Sequence, residues 1–244
     1  MADSIVVNEI YLSLQGESSW SGLPCVFVRL TACDLRCTYC DTAYAFTEGT
    51  RRPLDEVLER IELLAAPYRG VSAAQRLPLV ELTGGEPLLQ HGSLALMVSL
   101  CDRGYTVLLE TSGAHDVSRV DPRVHRIMDL KCPSSGESGR NRVENLVLLT
   151  PRDEVKFVIG TWEDYTWMSE QIRAHELARR CPLLVSWVHP LSEGQRHPSL
   201  KKPPPGHRPI SRQELAEQLI ADALPVRFQA QLHKLIWSPE SRGV

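Results

Sequence analysis

The 244-residue chain has no uninterrupted apolar stretch near the roughly 20 residues that a membrane-crossing helix requires, so no membrane span is expected. It has no surplus of positive charge either. Its 27 Lys and Arg stand against 30 Asp and Glu and are scattered among them, which leaves no basic field to hold a phosphate backbone, and nucleic acid is not expected as a direct ligand. The opening residues Met1 to Ser4 lack the basic start and apolar run of a secretion signal, which points to a cytoplasmic protein. No internal repeat is evident.

What the chain does have is a 43% hydrophobic fraction, enough for a sizeable core, and one domain over residues 1–244 is expected. Apolar runs rich in β-branched residues read as strands at Ile5 to Leu12, Cys25 to Leu30, Leu79 to Thr83, Thr106 to Thr111, Arg126 to Leu130, Glu154 to Ile159, Leu183 to Ser186 and Val226 to Phe228. Between them Leu54, Val57, Leu58, Ile61 and Leu64 share one helical face, with Pro53 at the start. Further helices are expected over Leu94 to Cys101 and Asp164 to Arg179, and Ser211 with Glu214 forms a capping box for a helix to Ala223. Alternating strands and helices imply an α/β fold with a mostly parallel sheet, open or closed into a barrel, carrying its functional groups at the strands' C-terminal ends. Pro133 to Arg142 and the proline-rich residues 189–210 interrupt the alternation and read as surface loops.

Seven cysteines is an odd count, and Cys33, Cys37 and Cys40 form Cys-x3-Cys-x2-Cys on a loop directly after a strand. In a reducing compartment such a cluster points to metal rather than disulfides. Three thiolates can ligate three irons of a 4Fe-4S cluster, and with no fourth cysteine in the loop one iron stays open for chemistry. Zinc is the competing reading, but structural zinc usually takes four ligands in two pairs. Cys25, Cys101 and Cys181 read as small buried hydrophobes, and Cys132, beside Lys131 at a strand end, is a further candidate ligand.

The cysteine loop resembles the signature of the radical S-adenosylmethionine superfamily, and Thr83-Gly84-Gly85-Glu86-Pro87 resembles that superfamily's second motif. The resemblance implies that Gly84, Gly85 and Glu86 receive the methionine amino group of the cofactor. Leu14-Gln15-Gly16-Glu17, followed by Arg29, narrows the resemblance to the 7-carboxy-7-deazaguanine synthase family, for which it implies a partial (βα) TIM-like barrel, a homodimer, Mg²⁺ and an external electron donor such as flavodoxin. Leu14, Gln15, Gly16, Glu17, Arg29 and Thr83 then hold a pterin substrate, and His233 in Gln231-Leu232-His233-Lys234 reaches it from the tail. A guanidinium fork at Arg29 matches a substrate carboxylate. Thr42 matches the position that ligates Mg²⁺, a hard ion that takes oxygen. Tyr39, Cys40 and Asp41, then Glu110 and Ser112, Asp129-Leu130-Lys131 and Ser186-Trp187-Val188-His189, match segments that contact S-adenosylmethionine.

The implied reaction begins with one-electron cleavage of S-adenosylmethionine and contracts the ring of 6-carboxy-5,6,7,8-tetrahydropterin to 7-carboxy-7-deazaguanine, with loss of ammonia, on the route to queuosine. Two features depart from the pattern. Ser18 stands where glycine is usual, and the chain continues past Pro239, near which some relatives end and place a terminal carboxylate on the substrate; Glu240 or Val244 is expected to supply that group here. A glycyl-radical activating enzyme and a non-catalytic iron-sulfur or zinc module are the competing functions.

Overall fold

A computed structural model describes residues 4–68, 70, 77–238 and 240–244. Among these residues nine strands form one sheet: β1 (Ser4–Leu14), β2 (Pro24–Leu30), β3 (Thr50–Pro53), β4 (Leu79–Gly84), β5 (Val107–Thr111), β6 (His125–Asp129), β7 (Glu154–Ile159), β8 (Leu183–Trp187) and β9 (Arg227–Gln229), in the order β3-β1-β2-β4-β5-β6-β7-β8-β9. From β2 through β9 every neighbouring pair is parallel, whereas β1 runs antiparallel to both β2 and β3. The result is an open, partial TIM-like barrel. No helix of the described residues is long and apolar enough to cross a membrane.

Four helices, α1 (Leu54–Ala65), α2 (His91–Asp102), α3 (Trp162–Ala174) and α4 (Arg212–Ala221), cover the outer face of the sheet. Asp55 and Glu56 place negative charge in the first turn of α1, where it complements the helix dipole, and Val57, Leu58 and Ile61 are buried on one side. The expected capping box forms at α4: Ser211 Oγ accepts from Glu214 N at 3.1 Å, and Ser211 N donates to Glu214 Oε2 at 2.8 Å. Thr161 and Asp164 cap α3 in the same way.

Alternate strand residues, among them Val28, Leu82, Leu109, Met128, Phe157 and Val185, pack against Ile61, Met97, Met168 and Leu215 of the helices in the main core. Because successive side chains on a strand point to opposite faces, the residues between them face into the barrel. At its N-terminal end these are apolar: Cys25, Phe27, Leu79, Leu108 and Ile127 form a buried plug. Two residues further along the strands the same face turns polar.

The structure differs from expectation in three places. Strand β3 is short and fully exposed, with none of the apolar patterning that marks the others. Helix α3 stops at Ala174 because Glu176 takes left-handed backbone (φ 49°), which a right-handed helix cannot continue and which tucks Leu177 into the core. A one-turn helix α5 (His233–Ile236) follows β9. Residues 189–210 hold one short 3-10 turn and are anchored where Lys201 N donates to Arg36 O at 2.9 Å and Ile210 N to Gly160 O at 3.2 Å.

Candidate active site

At the C-terminal ends of the strands a cavity of about 660 Å³ opens into the barrel. The chain leaves β2 through Ala32, itself at φ 80°, and enters the loop that carries Cys33, Cys37 and Cys40, all three of which line the cavity. Gly85 N donates to Leu30 O at 3.0 Å and Glu86 N to Ala32 O at 2.8 Å, so the backbone after β4 lies directly on the start of that loop. A side chain on Gly85 would overlap the Ala32 carbonyl, and Gly84 sits at φ 120° against Leu30; two glycines are therefore a packing requirement here. From the other side Thr38 Oγ1 donates to Ser134 O at 2.7 Å and Arg36 N to Glu137 Oε1 at 2.7 Å.

Burial pushes the Cys33 thiol up to about 11, the Cys37 thiol up to about 12, and Cys40 upward as well. Thiols held so become ligands only when a metal supplies the compensating charge. Among the described residues no three His, Cys, Asp or Glu side chains converge on one ion, whereas a cubane spreads its thiolates over separate irons. Cys33, Cys37 and Cys40 are the cysteines that line the cavity, a donor set that fits a cluster with one iron left open. Cys132 belongs to the outer core, where its thiol donates to Leu130 O at 3.7 Å, and does not line the cavity.

Above the apolar plug lies the inward polar layer: Arg29, Glu81, Thr83, Glu110, Asp129 and Lys156. The Lys156 ammonium donates to Glu17 Oε2 at 2.9 Å, also to Glu110 Oε1, and lies 3.9 Å from Asp129 Oδ2. Burial opposes its charge, but Glu110, Glu17 and Asp129 outweigh that and hold it well above the ordinary lysine range. Glu17 shows the reciprocal effect: burial would raise its carboxyl, yet Lys156, then His233 and Gln231, pull it down to about 2. Among the described residues Glu81 forms no ion pair. Burial, reinforced by the Glu110 charge, holds its carboxyl well above the usual range.

Gln15 bridges this layer to the loop before β2. Its Nε2 donates to Glu81 Oε2, its Oε1 accepts from Glu17 N at 2.8 Å, and its own N donates to Leu23 O at 2.8 Å. Ser18 adopts φ 61°, the left-handed conformation for which glycine is suited, so the loop keeps its shape at a cost of roughly 1–2 kcal/mol. Arg29 donates from Nε to Glu9 at 2.7 Å and from Nη2 to the Tyr11 hydroxyl at 2.8 Å; its Nη1 has no protein partner among the described residues.

The tail closes the remaining side. Leu232 N donates to Gly16 O at 2.8 Å, Gln231 Nε2 to Glu17 Oε1 at 2.8 Å, and Lys234 Nζ to Asp41 Oδ2 at 2.5 Å. His233 rests against Gly16 where any β-carbon would collide with its ring. Arg242 stacks over Tyr44 at 3.8 Å and pairs with Glu48 at 2.8 Å, which brings Glu240 and Val244 to the cavity wall; Pro239 lies outside the described residues.

The radical SAM superfamily matches over residues 28–134. Across its length the chain is similar to the 7-carboxy-7-deazaguanine synthase of Chlorobaculum tepidum, 43% identical over 98% of this chain and 96% of that one. It is as similar to the synthase of the same name from Koribacter versatilis, 43% identical over 98% and 99%. The chain belongs to the 7-carboxy-7-deazaguanine synthase family. In fold it also matches the crystal structure of QueE from Escherichia coli, with a TM-score of 0.65 at 20% identity over 93% of this chain and 94% of that one.

Against the residues that the family pattern singles out, the structure brings most to one cavity: the loop Leu14 to Glu17, Arg29, the three cysteines, Tyr39, Asp41 and Thr42 all line it. So do Thr83, Gly84, Gly85, Glu110, Ser112, Asp129, Lys131, Val188, His189 and His233. Four do not. Glu86 is fully buried, and its carboxylate accepts from Leu88 N, Thr111 Oγ1, Ser112 N and Ser112 Oγ at 2.6–3.0 Å. Leu130 sits in the core, Ser186 is 1% exposed, and Trp187 donates from Nε1 to Ile210 O at 2.8 Å. The family pattern did not point to Lys156, Glu81, Glu9, Tyr11 or Tyr44. A signal existed for two of them, since Glu81 is the lone charge of β4 and Lys156 a charge in the interior of the otherwise apolar β7, at positions whose parity matches cavity-facing neighbours.

Proposed function

We infer that this chain contracts the ring of 6-carboxy-5,6,7,8-tetrahydropterin to 7-carboxy-7-deazaguanine with release of ammonia. One observation carries the reading: the three clustered thiols, the strand-end polar groups and the Leu14 to Glu17 loop face one cavity of about 660 Å³, a volume suited to small molecules rather than to a protein backbone. That size also weighs against a glycyl-radical activating role.

Cys33, Cys37 and Cys40 would hold a 4Fe-4S cluster, and Asp129 Oδ1, buried without a partner among the described residues, together with Ser112 and Lys131 would meet S-adenosylmethionine. When bound, cluster and cofactor supply one-electron chemistry that starts the rearrangement. The chain's own residues then position and shield. Arg29, backed by Glu9 and Tyr11, presents its remaining nitrogen to the substrate carboxylate, Glu17 stays ionised against Lys156, and Glu110 pairs with the same ammonium. The tail from Gln231 excludes water over the pterin. Thr42, in the cavity beside Asp41, is the oxygen donor we assign to Mg²⁺, with a homodimer in the cytoplasm reduced by an external donor such as flavodoxin as the working form.

Anaerobic reconstitution with iron and sulfide, followed by assay of the carboxypterin for a deazaguanine product, tests the reading. Absence of S-adenosylmethionine cleavage by the reduced protein would overturn it. Thr42→Val should abolish any stimulation by Mg²⁺ while leaving the cluster's absorbance intact; equal stimulation in both proteins would remove Thr42 as the ligand.

A further inference from the structure

Glu81 is a carboxyl among apolar neighbours. Strand register sets it level with Phe27 on one side and Leu108 on the other, both members of the apolar plug, and it is 2% exposed. A buried carboxyl is costly unless its hydrogen-bonding groups are taken up. Among the described residues the one hydrogen-bond partner of its side chain is the amide of Gln15, whose Nε2 donates to Glu81 Oε2. Packing alone would favour an aliphatic side chain at this height in the barrel, so the carboxyl is there for Gln15.

Gln15 is buried too, and every polar group it has is engaged inside the protein. Its N–H donates to Leu23 O at 2.8 Å and its C=O accepts from Gly22 N at 2.8 Å, which closes the neck of the loop between β1 and β2, while its Oε1 accepts from Glu17 N at 2.8 Å. Gln15 therefore braces the loop and has little left to offer a ligand. Its neighbour is the opposite case. Gly16 is buried and lines the cavity, its C=O accepts from Leu232 N at 2.8 Å, and its N–H has no partner among the described residues. Buried backbone N–H groups rarely go unpaired, so Gly16 N is left as a donor for whatever occupies the cavity.

We propose that Glu81 is a positioning residue for the substrate: its carboxyl holds the Gln15 amide, and Gln15 so braced fixes where the Leu14 to Glu17 loop sets the Gly16 N–H and the Glu17 carboxylate against the pterin. The inference rests on the carboxypterin reading of the cavity. Glu81 acts through Gln15 and does not itself touch the substrate. The brace matters because a positioning group displaced by about 1 Å can cost up to about a hundredfold in rate. Substrate held off position would also let S-adenosylmethionine be cleaved without product forming.

The test compares Glu81→Leu, Glu81→Gln, Gln15→Leu and the double variant Glu81→Leu with Gln15→Leu, each reconstituted with iron and sulfide. Equilibrium dialysis of 6-carboxy-5,6,7,8-tetrahydropterin against the unreduced protein with S-adenosylmethionine should give a dissociation constant about tenfold higher in Glu81→Leu. Deoxyadenosine released per product on reduction should rise about fivefold. Gln15→Leu, which leaves β4 untouched, should show the same changes. Glu81→Gln keeps an acceptor oxygen at the same reach and should stay within about twofold of the original protein on both readouts. The double variant should bind within about twofold of either single variant, because the carboxyl acts only through the amide. Dithionite-driven cleavage of S-adenosylmethionine without substrate, and iron content, should be unchanged in every variant. Unaltered affinity and product ratio in Glu81→Leu or Gln15→Leu, or a Glu81→Gln variant as poor as Glu81→Leu, would overturn the proposal. So would an additive loss of about a hundredfold in the double variant, which would show that Glu81 meets the substrate directly. An unaltered protein that cleaves S-adenosylmethionine yet binds no carboxypterin would strike the reading of the cavity itself, and this proposal with it.

Discussion

Lys156→Met removes the one cation that three inward carboxylates share while keeping most of the side chain's length. Lys156 is 6% exposed and its partner Glu17 is 17% exposed, so solvent screens the pair little. The fall of the Glu17 carboxyl from 4.5 to about 2 corresponds to about 3 kcal/mol of folded-state preference for its charge. Breaking a buried pair by deleting one partner costs about 3–5 kcal/mol, because the other charge is left uncompensated. Both routes point to a loss of about 3 kcal/mol near pH 7, measured by anaerobic urea unfolding followed through tryptophan fluorescence.

The pH dependence is a sharper check. In the unaltered protein Glu17 has a depressed folded pKa, so its contribution is complete above about pH 4.5 and disappears as pH falls toward about 2. Without Lys156, burial dominates and raises the carboxyl; the folded variant then takes up a proton that the unfolded chain releases above about pH 4.5, and it loses stability as pH rises. The difference between the two proteins should therefore shrink from pH 7 to pH 4. Adding Glu17→Gln to Lys156→Met should restore part of the loss. A difference below about 1 kcal/mol at pH 7, or one that stays constant with pH, would refute the assignment of Lys156 as the charge that holds this layer together.

Glu81→Gln should flatten the stability profile above pH 4.5, since the folded chain keeps a proton at Glu81 that the unfolded chain gives up; the unaltered slope contains up to about 1.4 kcal/mol per pH unit from that proton. Identical urea midpoints for the two proteins at pH 6 and pH 8 would show Glu81 to be ionised. Gly85→Ala drives a β-carbon into the Ala32 carbonyl and should separate the second motif from the cysteine loop, giving less than about half the iron content after reconstitution; full iron loading would show that the loop can move aside.

Sequence by itself determined the local features of this protein. β-Branched runs set the parallel strands, capping boxes set helix starts, and Cys-x3-Cys-x2-Cys on a loop after a strand announced a site for metal, because each depends on residues close together in the chain. The exposed strand β3 carried no such mark, and α3 ended early because burial of Leu177 overrode helical propensity at Glu176. Tertiary structure alone decided which strand residues share the inward layer and who neutralises whom. Lys156 meets Glu17 from 139 positions away, and Glu81 meets Gln15 from 66 positions away. Spacing along the chain cannot encode those pairings; they follow from strand order and register, which also turned Glu86 toward Thr111 and Ser112 and brought residues 196–202 over the cysteine loop.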